Sequence, residues 1–254
     1  MIAITRDVSP SIARAELTHL ERVPIDYERA RVQHEAYREL LASLGCEVIS
    51  LPGDAAYPDC VFIEDTAVIL DDMAVITRPG AESRRGEVAV VADALAPYRR
   101  LVRIEAPATL DGGDVLVLRD RIYVGSSSRT NDAAIAQLRA LTGREVIRVD
   151  VHGALHLKTA ATAVSEDALL ITREWIDVTP FAGLKLIDAE EPFGANAVRV
   201  GNTLIYPTAF PRTRAILESH GFDVRTVDAD ELAKAEGGVT CCSLLIGAPA
   251  SRAG

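Results

Sequence analysis

Two adjacent cysteines, Cys241 and Cys242, stand near the end of the sequence. A cysteine is nucleophilic only as its thiolate, so a catalytic thiol needs an imidazole within reach to take or give the proton. His156, in His-Leu-Lys-Thr at 156 to 159, is the candidate. Asp111 is the carboxylate that would orient it and favour its protonated form, because a nearby negative charge raises an imidazole pKa. Three further acids, Asp59, Glu64 and Asp65, lie in Pro-Asp-Cys-Val-Phe-Ile-Glu-Asp at 58 to 65. Acyl transfer calls for amide donors around an oxyanion, which surplus carboxylates would hinder. A planar guanidinium cation instead calls for carboxylates, which meet its fork bidentately. The residue types therefore point to nucleophilic attack on a guanidinium-like carbon, with Arg84 and Arg129 as candidates to clamp a substrate carboxylate.

Taken singly, each of these residues has an ordinary explanation: a small buried hydrophobe for the cysteine, a packed or surface histidine, a solvated acidic loop. What sets them apart is their place in a repeat. A short β-branched strand, a tight polar turn, a second strand, a helix and often a third strand recur along the chain. One copy starts at Asp65, runs through Thr66 to Leu70, turns at Asp71-Asp72, returns through Ala74 to Thr77 and enters a helix near Glu82 to Leu95. The next starts at Asp111, with strands at Asp114 to Leu118 and Ile122 to Val124 and a helix after Asn131. A third starts at His156, with strands at Thr159 to Val164 and Ala168 to Thr172. A fourth starts near Asn196, turns at Gly201-Asn202, enters its helix through Pro211, leaves it at Gly221 and ends on the strand Phe222 to Val227.

The fifth copy starts at Cys241 and holds only Ser243 to Ile246 before the sequence ends. Its missing parts stand at the other end: the strand Ile2 to Thr5, an amphipathic helix from about Tyr27 to Leu44, and the strand Glu47 to Ser50. Pairing of the terminal segments would close five units of roughly 40 to 50 residues into a radial α/β array without open sheet edges. The competing expectation is an open α/β sheet. In the closed array the unit starts Asp65, Asp111, His156, Asn196 and Cys241 converge on one axis.

The bulk composition agrees with an enzyme of small molecules. The 254 residues, 48% hydrophobic, suffice for one sizeable core, and we expect a single domain over 1–254. The net charge of −10 comes without a basic stripe or an acidic run, which argues against nucleic acid and anionic membrane as partners. The apolar start, Met1 to Arg6, is far shorter than a signal core or the roughly 20 residues of a membrane span, so a cytoplasmic protein is expected. Four cysteines in a chain of this length make no disulfide framework. The one His-x-x-x-His pair, His152 and His156, encloses a glycine and lacks a zincin glutamate, so no metal site is expected.

Several segments together resemble the dimethylarginine dimethylaminohydrolase family of the guanidino-modifying pentein superfamily. They are the 58 to 65 stretch, Thr-Arg-Pro-Gly-Ala-Glu-Ser-Arg-Arg at 77 to 85, Ala-Thr-Leu-Asp-Gly-Gly-Asp-Val-Leu at 108 to 116, Arg-Thr-Asn at 129 to 131, His-Leu-Lys-Thr at 156 to 159 and Thr-Cys-Cys-Ser-Leu-Leu-Ile at 240 to 246. The resemblance implies a five-bladed pentein α/β propeller and hydrolysis of Nω-methylated arginine to citrulline and an amine. It implies Cys241 as nucleophile, His156 as general acid-base and Asp111 as its orienting carboxylate. Glu64 and Asp65 would hold the guanidinium, Asp59 and the backbone at Leu17 the α-amino group, Arg84 and Arg129 the α-carboxylate, and the backbone at Ala235 would line the guanidinium end. No cofactor is required, and zinc on the thiolate and imidazole would inhibit. A deiminase of free arginine on the same fold and a non-catalytic propeller binding a protein are the alternatives. The oligomeric state, a homodimer included, is left open.

Overall fold

The computed structural model describes residues 1–247. Strand β1 (Ile2–Arg6) leads to helix α1 (Tyr27–Ser43) and strand β2 (Glu47–Leu51). Asp26 caps α1 by accepting the Arg29 N–H, and Gly45, just past the helix, takes the left-handed conformation (φ +86) that turns the chain into β2. The second unit is β3 (Ala67–Ile69), β4 (Met73–Ile76), α2 (Val88–Leu95) and β5 (Arg100–Arg103). The third is β6 (Val115–Leu118), β7 (Arg121–Ser126), α3 (Asp132–Thr142), capped by the Asn131 side chain, and β8 (Glu145–Asp150). Then come the one-turn helix α4 (Leu157–Ala160) and strands β9 (Ala161–Ala163), β10 (Ala168–Ile171) and β11 (Lys185–Asp188). The last elements are β12 (Val198–Val200), β13 (Thr203–Pro207), α5 (Pro211–Ser219), β14 (Asp223–Val227), the one-turn helix α6 (Asp230–Ala233) and β15 (Leu244–Ile246).

These strands form five three-stranded sheets of one design. In each, a middle strand pairs antiparallel with one neighbour and parallel with the other, which requires a crossover; in four of them a tight turn joins the antiparallel pair. The first sheet, β15-β1-β2, is built from both ends of the described chain, with Ile2 opposite Ile246 and Ile4 opposite Leu244. The expected pairing of the terminal segments is therefore what the structure shows.

Five apolar clusters lie between successive sheets and close a ring. Ile4 and Leu244 of the first sheet pack with Ala74 and Ile76 of the second. Val75 meets Val115 and Val124 of the third, whose Tyr123 packs on Leu169 and Ile171 of the fourth. Leu170 meets Leu204 and Tyr206 of the fifth, and Val198 and Ile205 return to Ala3 of the first. The strands β3, β6, β9, β12 and β15, one from each sheet, together line a cavity of about 230 Å³ on the ring axis. This is the five-bladed propeller, and no sheet is left to face solvent on both sides.

The fourth sheet departs from the expected pattern. Between β10 and β11 stand only the 3-10 turns Arg173–Trp175 and Thr179–Phe181. Ile176, Val178, Thr179 and Pro180 interrupt any helical run there, since β-branched residues and proline disfavour it. The expected strand Thr159 to Val164 is likewise shortened, because Leu157–Ala160 first make a helical turn.

Closure of the ring predicts where stability concentrates. Ile4→Ala empties a fully buried position between two sheets and is expected to cost about 2–5 kcal/mol in denaturant unfolding. Val32→Ala, at a position 69% exposed on α1, is expected to change it by less than about 0.5 kcal/mol.

Candidate active site

The five inner strands all begin on the same side of the ring, and the residues just before them meet there. Cys241 sits on the 3-10 turn Thr240–Cys242 before β15. Asn196, before β12, braces this turn: its amide donates to Thr240 Oγ1 at 2.9 Å and to the Lys158 carbonyl at 2.9 Å, and its oxygen accepts the Thr240 N–H at 3.1 Å. The Gly238 N–H donates to Cys241 Sγ at 3.3 Å. Burial, with the negative charges of Glu64 and Asp65, pushes the Cys241 thiol up to about 12, against the smaller opposing pull of that N–H and of Lys158.

His156 lies before β9, between two carboxylates. Its Nε2 is 3.0 Å from Asp111 Oδ2, and its Nδ1 is 3.8 Å from Asp65 Oδ1. Burial alone would lower this imidazole, but Asp65, the bond to Asp111 and the charge of Asp114 raise it to about 9. Asp65 is buried too; the His156 and Arg84 cations nevertheless hold it down at about 2. Asp111 is fixed from its other oxygen by the Gly80 N–H at 2.8 Å; the Asp65 oxygen that faces the imidazole, Oδ1, also accepts the Gly113 N–H at 2.9 Å. The paired glycines of Asp-Gly-Gly-Asp follow from this crowding: a Cβ on Gly113 would stand 2.6 Å from His156 Nδ1 and 2.7 Å from Asp65 Oδ1.

Cys241, His156, Asp59, Asp65, Arg84, Arg129 and Ala235 line one cavity, and Asp111 stands directly behind the imidazole. Asp59 accepts the Glu16 N–H on both oxygens, and burial raises its carboxyl to about 6 in spite of Arg84. Arg84 is turned inward, with Nη1 2.6 Å from Asp65 and Nε and Nη2 on Glu87 at 3.1 and 2.9 Å. Arg129 is less engaged, with one donor on Thr18 Oγ1 at 3.0 Å and Asp111 at 3.8 Å.

Two expected residues stand outside that cavity. Glu64 faces the axial cavity beneath Cys241, where Lys158 Nζ approaches to 2.5 Å and Thr240 Oγ1 donates at 2.9 Å. It therefore supports the turn bearing Cys241 and has a cation already. Leu17 is half-buried on the covering segment and its neighbour Glu16 lines the cavity instead. Residues 16–20 are tied down by the Asp59 bond and by Glu236, whose carboxylate accepts the N–H groups of Thr18, His19 and Leu20 at 2.6 to 3.1 Å. The cavity measures about 20 Å³, room for one water, so an amino-acid-sized ligand needs its walls, Glu16 of this segment among them, to give way.

Sequence reasoning missed Asp114, Glu87 and Glu236. Asp114 bonds the Leu157 N–H at 2.9 Å and Ser127 Oγ at 2.6 Å, fixing the turn that carries His156. Its place at the end of Asp-Gly-Gly-Asp, and that of Glu87 three residues after Arg84, were signals available in the sequence. Nothing in the sequence marks Glu236. As for metals, one ligand atom each from Asp65, Asp111 and His156 falls within 4.8 Å, but Arg84 and the imidazolium already neutralise these carboxylates, so a cation would have to displace them.

The model of the family "N,N dimethylarginine dimethylhydrolase, eukaryotic" matches residues 17–181. The dimethylarginine dimethylaminohydrolase of Streptomyces coelicolor is 40% identical over 247 residues, covering 95% of both chains. The chain belongs to the dimethylarginine dimethylaminohydrolase family. The Pseudomonas aeruginosa member, solved with citrulline, superposes with a TM-score of 0.89 at 34% identity, over 95% of this chain and 97% of that one. The N-terminal domain of the cyanobacterial arginine dihydrolase ArgZ shares the fold at 19% identity (TM-score 0.88, 97% of each chain). The pentein fold implied by the resemblance, and agreeing with the closed array expected from the repeat, is thus shared with solved relatives.

The buried charges of this family site give stability a defined pH window. His156 is raised from 6.5 to about 9 by folding, so its contribution is complete below pH 6.5 and lost as pH rises through about 9. Asp65 is lowered from 3.8 to about 2, so its contribution is complete above pH 3.8 and lost as pH falls through about 2. Urea midpoints are expected to fall between pH 6.5 and 9 in the wild type, and to fall less in His156→Gln; equal slopes would contradict the imidazolium.

Proposed function

We infer that the protein hydrolyses Nω-methylated arginine to citrulline and methylamine or dimethylamine. The observation that carries this is His156, held as an imidazolium between Asp65 and Asp111 in the cavity that Cys241 shares. The family membership supports the same substrate class. Asp65 takes the guanidinium, Asp59 the α-amino group and Arg129 the α-carboxylate. Arg84 acts from the cavity wall, where it holds Asp65 in place. The backbones at Leu17 and Ala235 close over the ligand, and Glu64 acts through Thr240 and Lys158 on the nucleophile's turn.

With the thiol near 12 and the imidazole near 9, the resting site at pH 7 holds a neutral thiol beside an imidazolium. An arriving guanidinium cation favours the thiolate, as any positive charge beside it does, and a proton leaves to solvent. The thiolate attacks the guanidinium carbon, and His156 gives its proton to the departing nitrogen as the C–N bond breaks. A covalent S-alkylthiouronium remains. Water then attacks it and neutral His156 takes one of the water's protons; the C–S bond breaks as the C=O bond forms, and the remaining hydroxyl proton passes to the departing sulfur, releasing citrulline and the resting thiol. Thiol, imidazole and water balance every step, so no cofactor is required. The four unpaired cysteines suit a reducing compartment, in keeping with a cytoplasmic enzyme.

Citrulline and amine release should be measured together on dimethylarginine and on arginine. Cys241→Ser is expected to lose at least about a thousandfold in kcat/KM. Cys242→Ser, whose sulfur is buried on the Gly238 carbonyl, should stay within about tenfold. Ammonia release from arginine exceeding amine release from dimethylarginine would overturn the substrate, and an active Cys241→Ser the nucleophile.

A further inference from the structure

A second cavity, of about 250 Å³, lies beside the catalytic one and shares Leu155, Glu236 and Gly237 with it. Its remaining walls are mostly carbon, among them Phe193, Pro207, Ala209, Phe210 and Ala233. Asn196, the buried amide that touches it, already has both functions bonded to Thr240 and the Lys158 carbonyl, so an apolar occupant would strand none of them. Phe193 stands at its wall with a positive φ of 66, a conformation bulky residues rarely adopt, and packs edge-on against Trp175 at 4.8 Å.

Position relative to the reacting atoms gives this cavity its meaning. Gly238, which lines it, is the residue whose N–H reaches Cys241 Sγ, and Leu155, which lines both cavities, directly precedes His156. Asp59 and Arg129, which take the amino-acid end of the ligand, line only the catalytic cavity. The second cavity therefore adjoins the nitrogen that leaves. Gly237 contributes no side chain to the partition and has room for none, since a Cβ there would stand 2.1 Å from the Phe62 ring. The half-exposed Leu155 side chain and Glu236 are what separate the two spaces.

We propose that this cavity receives the Nω-substituent of the guanidinium ligand, so that the enzyme accepts arginines bearing alkyl groups longer than methyl. The inference rests on the methylarginine reading above. The chemistry is unchanged: the C–S bond forms, the C–N bond breaks, and His156 protonates the nitrogen of a departing alkylamine. Rotation of Leu155 opens the partition to the longer chain.

The test compares kcat/KM for Nω-propylarginine and dimethylarginine, by citrulline release, in wild type, Ala209→Phe, Ala233→Phe and Leu155→Ala. Ala209, in the loop between β13 and α5, and Ala233, at the end of α6, are exposed and outside the catalytic cavity. The wild type is expected to turn over both substrates. Each phenylalanine should lower the propyl-to-dimethyl ratio by at least about tenfold while dimethylarginine changes less than about twofold, and Leu155→Ala should raise the ratio. A wild type active on dimethylarginine but inert to the propyl compound overturns the proposal, as does a ratio unchanged in both phenylalanine variants. Should those variants lose dimethylarginine turnover by misfolding, the Leu155→Ala ratio decides, a rise supporting the cavity and no change overturning it. A wild type silent on both overturns the methylarginine reading itself, and this proposal with it.

Discussion

An imidazolium with one side against Asp111 and the other against Asp65 survives burial only while both carboxylates stay fixed and their own remaining charge is answered. Asp65 is answered by Arg84, and Arg84 by Glu87, so the charges alternate in sign through the wall of the site. The three members around the imidazole come from different stretches of chain: Asp65 before β3, Asp111 before β6, His156 before β9. The ring of sheets is what lets three strand starts meet, and the apolar clusters between sheets keep them from relaxing apart. Removing one partner would leave a buried charge uncompensated, which is far more costly than losing an exposed ion pair.

This dependence explains what could be read in the sequence and what could not. Strand alternation, the turns at Asp71-Asp72 and Gly201-Asn202, and the glycines at helix ends are local signals, and they located the units to within a few residues. The closure was legible for a different reason: the last unit lacked two strands that the first 50 residues supplied, and β1 indeed pairs with β15. The fourth sheet was less legible, since its crossover uses 3-10 turns whose β-branched residues carry no helical period.

Side-chain direction was the harder problem. Glu64 and Asp65 are adjacent, yet a 3-10 turn sends one toward the axial cavity and Lys158 and the other toward His156. Spacing cannot tell which neighbour faces the ligand. Arg84 was legible as a functional cation, but its partners depend on Glu87 one turn later and on Asp65 across the loop. Glu236 was invisible because its partners are backbone N–H groups more than 200 residues away, at Thr18, His19 and Leu20. A contact between a carboxylate and three main-chain amides leaves no mark on the residue types it touches.

The same electrostatics ties closure to reactivity. A thiol among Glu64, Asp65 and apolar walls stays protonated, and a protonated thiol is both a poor nucleophile and a poor target for oxidation. In the reaction proposed above the cation that makes it reactive is the ligand itself, and residues 16–20 cover the site through their bonds to Asp59 and Glu236. Those bonds join residues far apart in sequence but are exposed or only partly buried, so they can open without disturbing the five clusters that hold the ring. In that reading covering and activation are separate in structure and linked in charge: residues 16–20 lie over the cavity on bonds independent of the ring, and the guanidinium's own charge supplies what the resting site withholds from Cys241.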